Sequence, residues 1–168
     1  MKKLIYYDGD IAKVQEIRDK FSQPGDEVTV IADDGTIKQC IGCFGCWIKT
    51  PGQCVLQDGY NDLGERLGKT DELIIVSYSV YGTFSPFIRN LMDRSLSYCL
   101  PDFTKARNNE WHHPIRYNKV LPVRYYIYGK IDSRDKETLL SLIRANVLNF
   151  GGTLRSTGFF DTLEEVSA

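Results

Sequence analysis

The sequence has no long hydrophobic run, no excess of charge of one sign and only two histidines. Its apolar stretches, such as residues 73–76, are far shorter than the roughly 20 residues that cross a membrane. The 21 Lys and Arg side chains nearly balance 22 Asp and Glu, and no basic cluster is longer than two residues. We therefore expect neither a membrane nor a nucleic acid as partner.

The start of the chain also lacks the apolar core of a signal peptide. Lys2 and Lys3 are followed by four apolar residues before Asp8, whereas a secretory signal needs about 7–15. We expect a cytoplasmic protein. The 168 residues, 42% hydrophobic and 26% charged, predict a single globular domain over residues 1–168. No nucleophile elbow, Walker loop or G-x-G-x-x-G fingerprint occurs in it.

Five short apolar segments, rich in β-branched and aromatic residues, predict strands that are buried on both faces. They cover residues 4–7, 28–31, 73–78, 123–128 and 154–160. Segments with helical periodicity lie between them, at residues 11–21, 88–96 and 139–147, and a weaker one lies at 61–69. This alternation predicts a parallel sheet with helices on both faces. Five strands favour a flavodoxin-like doubly wound sheet, order 2-1-3-4-5, with ligands at the carboxyl ends of the strands.

Two connections are longer than ordinary loops, which marks them as candidate functional segments. The first, at about residues 33–59, is rich in cysteine and is called the cysteine loop below. The second, at about residues 100–122, contains Trp111, His112 and His113 and is called the flap. Because its composition is unlike that of disordered chains, we interpret the flap as an ordered cover for a ligand or a partner subunit, anchored by its histidines.

The five cysteines provide the sharpest signal, because Cys40, Cys43, Cys46 and Cys54 fall within fifteen positions. In a reducing compartment such clustering indicates metal or redox chemistry rather than disulfides. Three thiols spaced three apart plus one remote thiol favour an iron-sulfur cluster over zinc, which usually takes two separated pairs. Zinc and free or redox-active thiols remain open alternatives. Cys99 follows a helical stripe and is expected to be a buried core thiol.

The cysteine segment resembles a known family. The run from Cys40 to Trp47, followed by Cys54 and Asp58, is similar to the segment after the second strand in NAD(P)H-dependent FMN reductases of the flavodoxin-like superfamily, whose iron-sulfur flavoproteins carry a compact four-cysteine motif. Downstream, residues 79–82, Ser85, Arg89 and the Asp93-Arg94 pair resemble the flavin loop of that family and the helix that follows it. The order and spacing agree from about Cys40 to Arg94.

The resemblance implies that FMN lies over the strand ends and that NAD(P)H is the reductant. The expected contacts of the flavin ring are in two loops, at Tyr78, Ser79, Val80, Tyr81, Gly82, Ser85 and Gly129. Tyr81 is a candidate for stacking on the ring. The first strand-to-helix loop, with Gly9 and Asp10, is the candidate phosphate site.

That loop departs from the family pattern, which has a glycine with serines, threonines or an arginine. Here Asp8 and Asp10 flank Gly9, no hydroxyl side chain other than tyrosine precedes Ser22, and Asp10 is expected to cap the following helix. Two carboxylates repel a phosphate, so FMN binding is expected to be weak. Arg107 and Arg116 in the flap are candidates for the missing positive charge.

Two hypotheses follow from these observations. In the first, the chain is an FMN-dependent NAD(P)H oxidoreductase that passes electrons through flavin to a cluster on the cysteine loop or to a small acceptor. In the second, it is a non-flavin metal- or cluster-binding domain that acts as a sensor, carrier or interaction module. The cysteine loop and flap are expected above the same carboxyl edge of the sheet, where a second subunit would cover them, so we expect a homodimer or larger closed oligomer.

Overall fold

A computed structural model describes residues 1–105 and 109–167. The strands are β1 (Lys2–Tyr7), β2 (Glu27–Ala32), β3 (Glu72–Val80), β4 (Thr83–Phe84), β5 (Thr104–Lys105), β6 (Trp111–His112), β7 (Leu121–Tyr128) and β8 (Gly152–Phe160). The helices are α1 (Val14–Phe21), α2 (Gly45–Ile48), α3 (Leu63–Lys69), α4 (Pro86–Arg94) and α5 (Ser133–Asn149), with 3-10 helices at Ile11–Lys13 and Ser95–Tyr98.

The five long strands form a parallel sheet in the order β2-β1-β3-β7-β8. Counting the long strands alone, this is the predicted order 2-1-3-4-5, so the flavodoxin-like fold is confirmed. The central strands β1 and β3 are almost entirely buried, as their unbroken apolar runs predict. The order reverses between β1 and β3, and the crevice at the carboxyl ends of these two strands is where ligands bind in such sheets.

Helices cover both faces of the sheet, as predicted. On one face, apolar side chains of α3, α4 and α5, among them Leu67, Leu91 and Ile143, form a core with alternate residues of the strands. On the other face, α1 packs Ile17 and Phe21 against the sheet, and Val166 from the C-terminal segment joins them. No described helix is long and apolar enough to cross a membrane.

The expected position of the flap was wrong. Lys119 in the flap donates hydrogen bonds to the carbonyl oxygens of Leu67 and Thr70, just before β3, and Ile115 lies against Gly151, just before β8. The part of the flap around Ile115 and Lys119 therefore lies at the amino edge of the sheet, opposite the switch-point crevice. The reason is topological, because a connection from a helix into a parallel strand must reach the amino end of that strand.

Candidate functional site

Asp8 joins the carboxyl ends of three strands at the switch point. It follows β1, and its Oδ2 accepts a hydrogen bond of 2.7 Å from the backbone amide of Tyr78 in β3. Its Oδ1 accepts a bond of 2.8 Å from the hydroxyl of Tyr128, the last residue of β7. The Ser77 hydroxyl donates to Oδ2 at 3.2 Å. The carboxylate thus ties β1, β3 and β7 together at the edge where a flavin is expected.

Burial shapes the titration of this cluster. Removal from water raises the pKa of Asp8 and outweighs the hydrogen bonds from Ser85, Tyr128 and the Tyr78 amide, which favour the carboxylate. The pKa of Tyr128 is raised by burial, then by the Asp8 charge and the hydrogen bond to it. Tyr128 therefore stays a neutral donor at physiological pH, and Asp8 acts as its acceptor.

Asp10 caps the helical segment after β1, as predicted. Its Oδ1 accepts a hydrogen bond of 2.8 Å from the Ala12 amide, at the start of the 3-10 helix that leads into α1. An amide that would otherwise face an anion is therefore already paired. Gly9, between the two aspartates, lies directly over the Tyr7 ring, and a Cβ at Gly9 would come within 2.2 Å of the Tyr7 hydroxyl oxygen.

The Tyr7 hydroxyl lies beneath this loop and has no hydrogen-bond partner among the described residues. Its side chain is fully buried. Burial, followed by the charges of Asp8 and Asp10, raises the pKa of Tyr7 to about 12. A neutral, unpaired donor therefore lies next to two carboxylates at the carboxyl end of β1.

The expected flavin loop after β3 is a tight β-hairpin. Ser79 pairs with Phe84 and Val80 pairs with Thr83, which leaves Tyr81 and Gly82 as a two-residue turn. Both turn residues have positive φ angles, 50° and 70°, which identifies a type I′ turn. Val80 and Ser79 are thus ladder residues, and Ser79 is buried. The tip of the hairpin carries the Tyr81 side chain, which is 98% exposed.

The remaining expected ring contacts lie close to this hairpin. The Tyr78 side chain, 47% exposed, packs edge-on against Tyr128, with ring centroids 5.5 Å apart. Gly129, with a φ of 111°, leaves no room for a Cβ beside the Tyr78 ring. Ser85 caps α4 by accepting a hydrogen bond from the Ile88 amide, and its own amide donates to the Ser77 hydroxyl. The structure therefore places these predicted residues along one edge.

The cysteine loop runs along α4 and is fixed to its last turn. The Arg94 guanidinium makes two hydrogen bonds of 2.8 Å to the Asp58 carboxylate and donates to the Lys38 carbonyl at 2.7 Å. Asn90 accepts from the Cys40 amide at 3.0 Å. The two segments that carried the family resemblance, around Asp58 and around Arg94, are therefore in direct contact.

Cys40, Cys43, Cys46 and Cys54 line one small cavity together with Asp93 and Arg94. All four thiols are free, and Cys43 is the most accessible of them. Burial, followed by the neighbouring Cys54, raises the pKa of the Cys46 thiol. In the part of the chain that the structure describes, no three His, Cys, Asp or Glu side chains are arranged to hold a metal ion. The four-cysteine cluster stays a prediction.

The flap contacts the cysteine loop through aromatic side chains. The Trp47 ring packs on His113 at 4.7 Å between centroids, and its indole nitrogen donates to the Cys99 carbonyl at 3.0 Å. His113 also packs on Phe103 and bonds the Asp102 carbonyl, and His112 bonds the Asn149 side chain. The histidines therefore act as anchors. Cys99 is buried, as predicted, and its pKa is raised to about 11 by burial.

A cavity of about 630 Å³ opens between the flap, the cysteine loop and α5. Arg116, a candidate phosphate ligand, instead donates to the carbonyl oxygens of Ser97 and Cys99 on this side of the molecule. Arg107, the other candidate, lies outside the described residues. In its described contacts, Arg116 therefore does not supply the positive charge that the loop after β1 lacks.

Sequence reasoning missed two features of the site. It treated Asp8 only as a repulsive charge, whereas Asp8 connects three strand ends through Tyr78 and Tyr128. The available signal was an aspartate directly after a buried strand, where neighbouring strand ends converge. It also treated the segment from Tyr78 to Ser85 as a loop, although a turn that ends in glycine between β-branched residues is typical of a hairpin.

Neither a protein-family model nor a curated protein matches the sequence. Solved structures share its fold. A protein described as a quinone reductase from Klebsiella pneumoniae aligns with a TM-score of 0.64 and 14% identity over 100% of this chain and 78% of its own. An azoreductase from Bacillus anthracis aligns with a TM-score of 0.58 and 11% identity, over 95% of this chain and 87% of its own. General stress protein 14 from Treponema denticola, solved with FMN, aligns with a TM-score of 0.54 and 12% identity, over 98% of this chain and 88% of its own. The chain therefore has the flavodoxin-like fold of these proteins.

Proposed function

We propose that the protein is an NAD(P)H-dependent flavin oxidoreductase that passes electrons from a nicotinamide through a flavin to a small acceptor or to a cluster. The observation that carries the proposal is Tyr81. This aromatic side chain is held in a left-handed backbone conformation and is almost fully exposed at the carboxyl edge, next to the switch point. Such strain costs about 1–3 kcal/mol and clusters at functional sites.

The solved relatives support the same class of reaction. They include structures described as a quinone reductase and an azoreductase, and one that was solved with FMN. Tyr78, Tyr81 and Gly129 lie close together at the carboxyl edge of the sheet, and they are the residues that we propose to contact the flavin ring. A bound flavin supplies the acceptance of hydride and the onward transfer of electrons. The protein's part is to position the ring against the hairpin.

The phosphate of FMN fits this chain less well than the ring does. The amide of Ala12 is taken by Asp10, and Asp8 adds a second carboxylate to the same short loop. A tightly held FMN is therefore not part of the proposal. Riboflavin or a weakly bound FMN is consistent with the residues present.

An absorption spectrum of protein purified without oxygen tests the proposal. Flavin bands should be present, or should appear in perturbed form when riboflavin is added, and the oxidation of NAD(P)H should depend on that flavin. Bound flavin and an iron-sulfur cluster give different visible bands, and zinc gives none. Protein that binds no flavin and oxidises no NAD(P)H in its presence contradicts the proposal.

A second candidate function rests on the cysteine loop. Four thiols line one cavity whose wall is held by the buried Arg94–Asp58 pair. Thiolates are the ligands that iron-sulfur clusters and structural zinc require. In this alternative the chain is a metal- or cluster-binding module without flavin. Bound iron and sulfide in protein that binds no flavin favours the alternative.

A further inference from the structure

We propose that the flavin accepted at this edge carries no phosphate, as in riboflavin, and that it is held through its ribityl hydroxyls as an exchangeable ligand. The inference rests on the proposed flavin function and deepens it, because it assigns which flavin the site selects. It is carried by the loop over residues 8–10 and by the side chains that this loop contacts.

This loop is the place where the far end of a flavin side chain meets the protein. It joins β1 to the helical segment of α1, and β1 borders the switch point between β1 and β3. A helix that begins at such a loop can bind phosphate through its unpaired amides and its dipole. Because β1 and β3 are neighbouring parallel strands, the hairpin after β3 and the loop over residues 8–10 lie next to each other, and a ligand against the hairpin would be within reach of this loop.

Both carboxylates of the loop are committed to the protein. Asp8 accepts from the Tyr78 amide, the Ser77 hydroxyl and the Tyr128 hydroxyl, so it cannot rotate away without leaving these donors unpaired. Asp10 occupies the Ala12 amide. An incoming phosphate therefore meets two negative charges and must displace a helix cap, and both effects disfavour it.

The same groups complement a hydroxyl. A phosphate dianion only accepts hydrogen bonds, and a carboxylate also only accepts them, so the two cannot bond each other. A ribityl hydroxyl donates to a carboxylate and accepts from a neutral donor. The Tyr7 hydroxyl is a neutral group without a described partner, but it lies beneath Gly9 and is closed off from the surface. The loop thus offers acceptors to a ligand, which match a polyol rather than an anion.

The test compares the binding of riboflavin and FMN to the full chain by quenching of flavin fluorescence. Wild-type protein should bind riboflavin at least about tenfold more tightly than FMN. Higher salt should strengthen FMN relative to riboflavin, because it screens the repulsion. The double variant Asp8→Asn, Asp10→Asn should reduce the difference to about threefold or less, because FMN tightens when the repulsion is removed and riboflavin weakens when its charged acceptors become neutral amide oxygens.

Two further variants keep the test decisive. Asp10→Ser retains a capping side chain and leaves the Asp8 contacts intact, so it should fold and still reduce the difference. The control Asp33→Asn, Asp161→Asn removes two charges from the ends of β2 and β8 at the same edge and should leave the ratio unchanged. If FMN binds wild-type protein as tightly as riboflavin does, the inference about the phosphate is overturned, while the proposed flavin function stands. Protein that binds neither flavin overturns the proposed flavin function.

Discussion

Arg94 and Asp58 form a buried ion pair that fixes the cysteine loop to the end of α4. Two parallel hydrogen bonds of 2.8 Å join them, and their side chains are 0% and 3% exposed. Arg94 also donates to the carbonyl oxygens of Lys38 and Leu56 from the same loop. Because the guanidinium has little access to water, these partners are what stabilise its positive charge.

Asp58→Asn should destabilise the protein strongly. The substitution keeps the shape of the side chain but leaves the Arg94 charge buried without a counter-charge, at a cost of about 3–5 kcal/mol. Urea unfolding measures this loss. As a control, Glu65→Gln removes one partner of the exposed Glu65–Lys69 pair on α3 and should cost about 0.5 kcal/mol or less. If the two variants lose the same free energy of unfolding, the buried pair contributes no more to stability than the exposed pair.

The contribution of Asp58 should also depend on pH. The hydrogen bonds from Arg94 hold the pKa of Asp58 well below its usual range in the folded state. A lowered folded-state pKa gives stability that is present above the unfolded value, near 4, and is lost as pH falls toward the folded value. The stability difference between wild type and Asp58→Asn should therefore be largest near neutral pH and shrink below about pH 4. A difference that stays constant with pH would refute this assignment.

Tyr81→Asn should separate stability from flavin binding. Asparagine adopts positive φ angles more readily than tyrosine and is favoured before glycine in type I′ turns, so the variant should be about 1 kcal/mol more stable. Loss of the exposed ring should weaken riboflavin binding about fivefold. Tyr81→Phe keeps the ring and the strain and is the matched control. Unchanged riboflavin affinity in the asparagine variant would remove Tyr81 from the site.

Cys43→Ala should abolish any cluster on the cysteine loop. If Cys40, Cys43, Cys46 and Cys54 hold one iron-sulfur cluster, anaerobic protein contains iron and sulfide in stoichiometric amounts, and loss of one thiolate removes both. Cys99→Ser, which alters a buried thiol outside this set, should retain them. Zinc at one atom per chain would decide against iron-sulfur.

The exposed apolar side chains of the cysteine loop and flap predict self-association. They are Ile41, Phe44, Ile48, Phe103, Trp111 and Val120. Burial of such a surface typically accompanies a closed oligomer. Light scattering at micromolar concentration should show a dimer or larger assembly, and Ile48→Asp should shift it toward monomer, whereas Ile11→Asp, beside α1, should not. A wild-type monomer that still binds flavin contradicts the prediction.

Local patterns predicted the elements whose burial or capping is visible in their own few residues. Unbroken apolar runs predict β1 and β3, because both faces of these strands are buried. The cap at Asp10 follows from its position before a helix. The hairpin after β3 was missed because the strand continues past its buried part, into Val80, and then turns back.

Contacts between distant parts of the chain could not be predicted in the same way. Asp8 and Tyr128 are 120 positions apart, and Asp58 and Arg94 are 36 apart. Their pairing depends on which loops the assembled sheet brings together. The flap was placed at the wrong edge because its composition suggested a cover, whereas its connection to the start of β7 decided its position.

Helix α4 also sets the distance between two regions of the molecule. It begins next to the Ser77–Ser85–Asp8 network and ends at Arg94, beside the cysteine-lined cavity, and it has nine residues. At about 1.5 Å per residue the two ends are about 13 Å apart. The residues proposed to contact a flavin and the cysteine-lined cavity therefore lie near opposite ends of one helix.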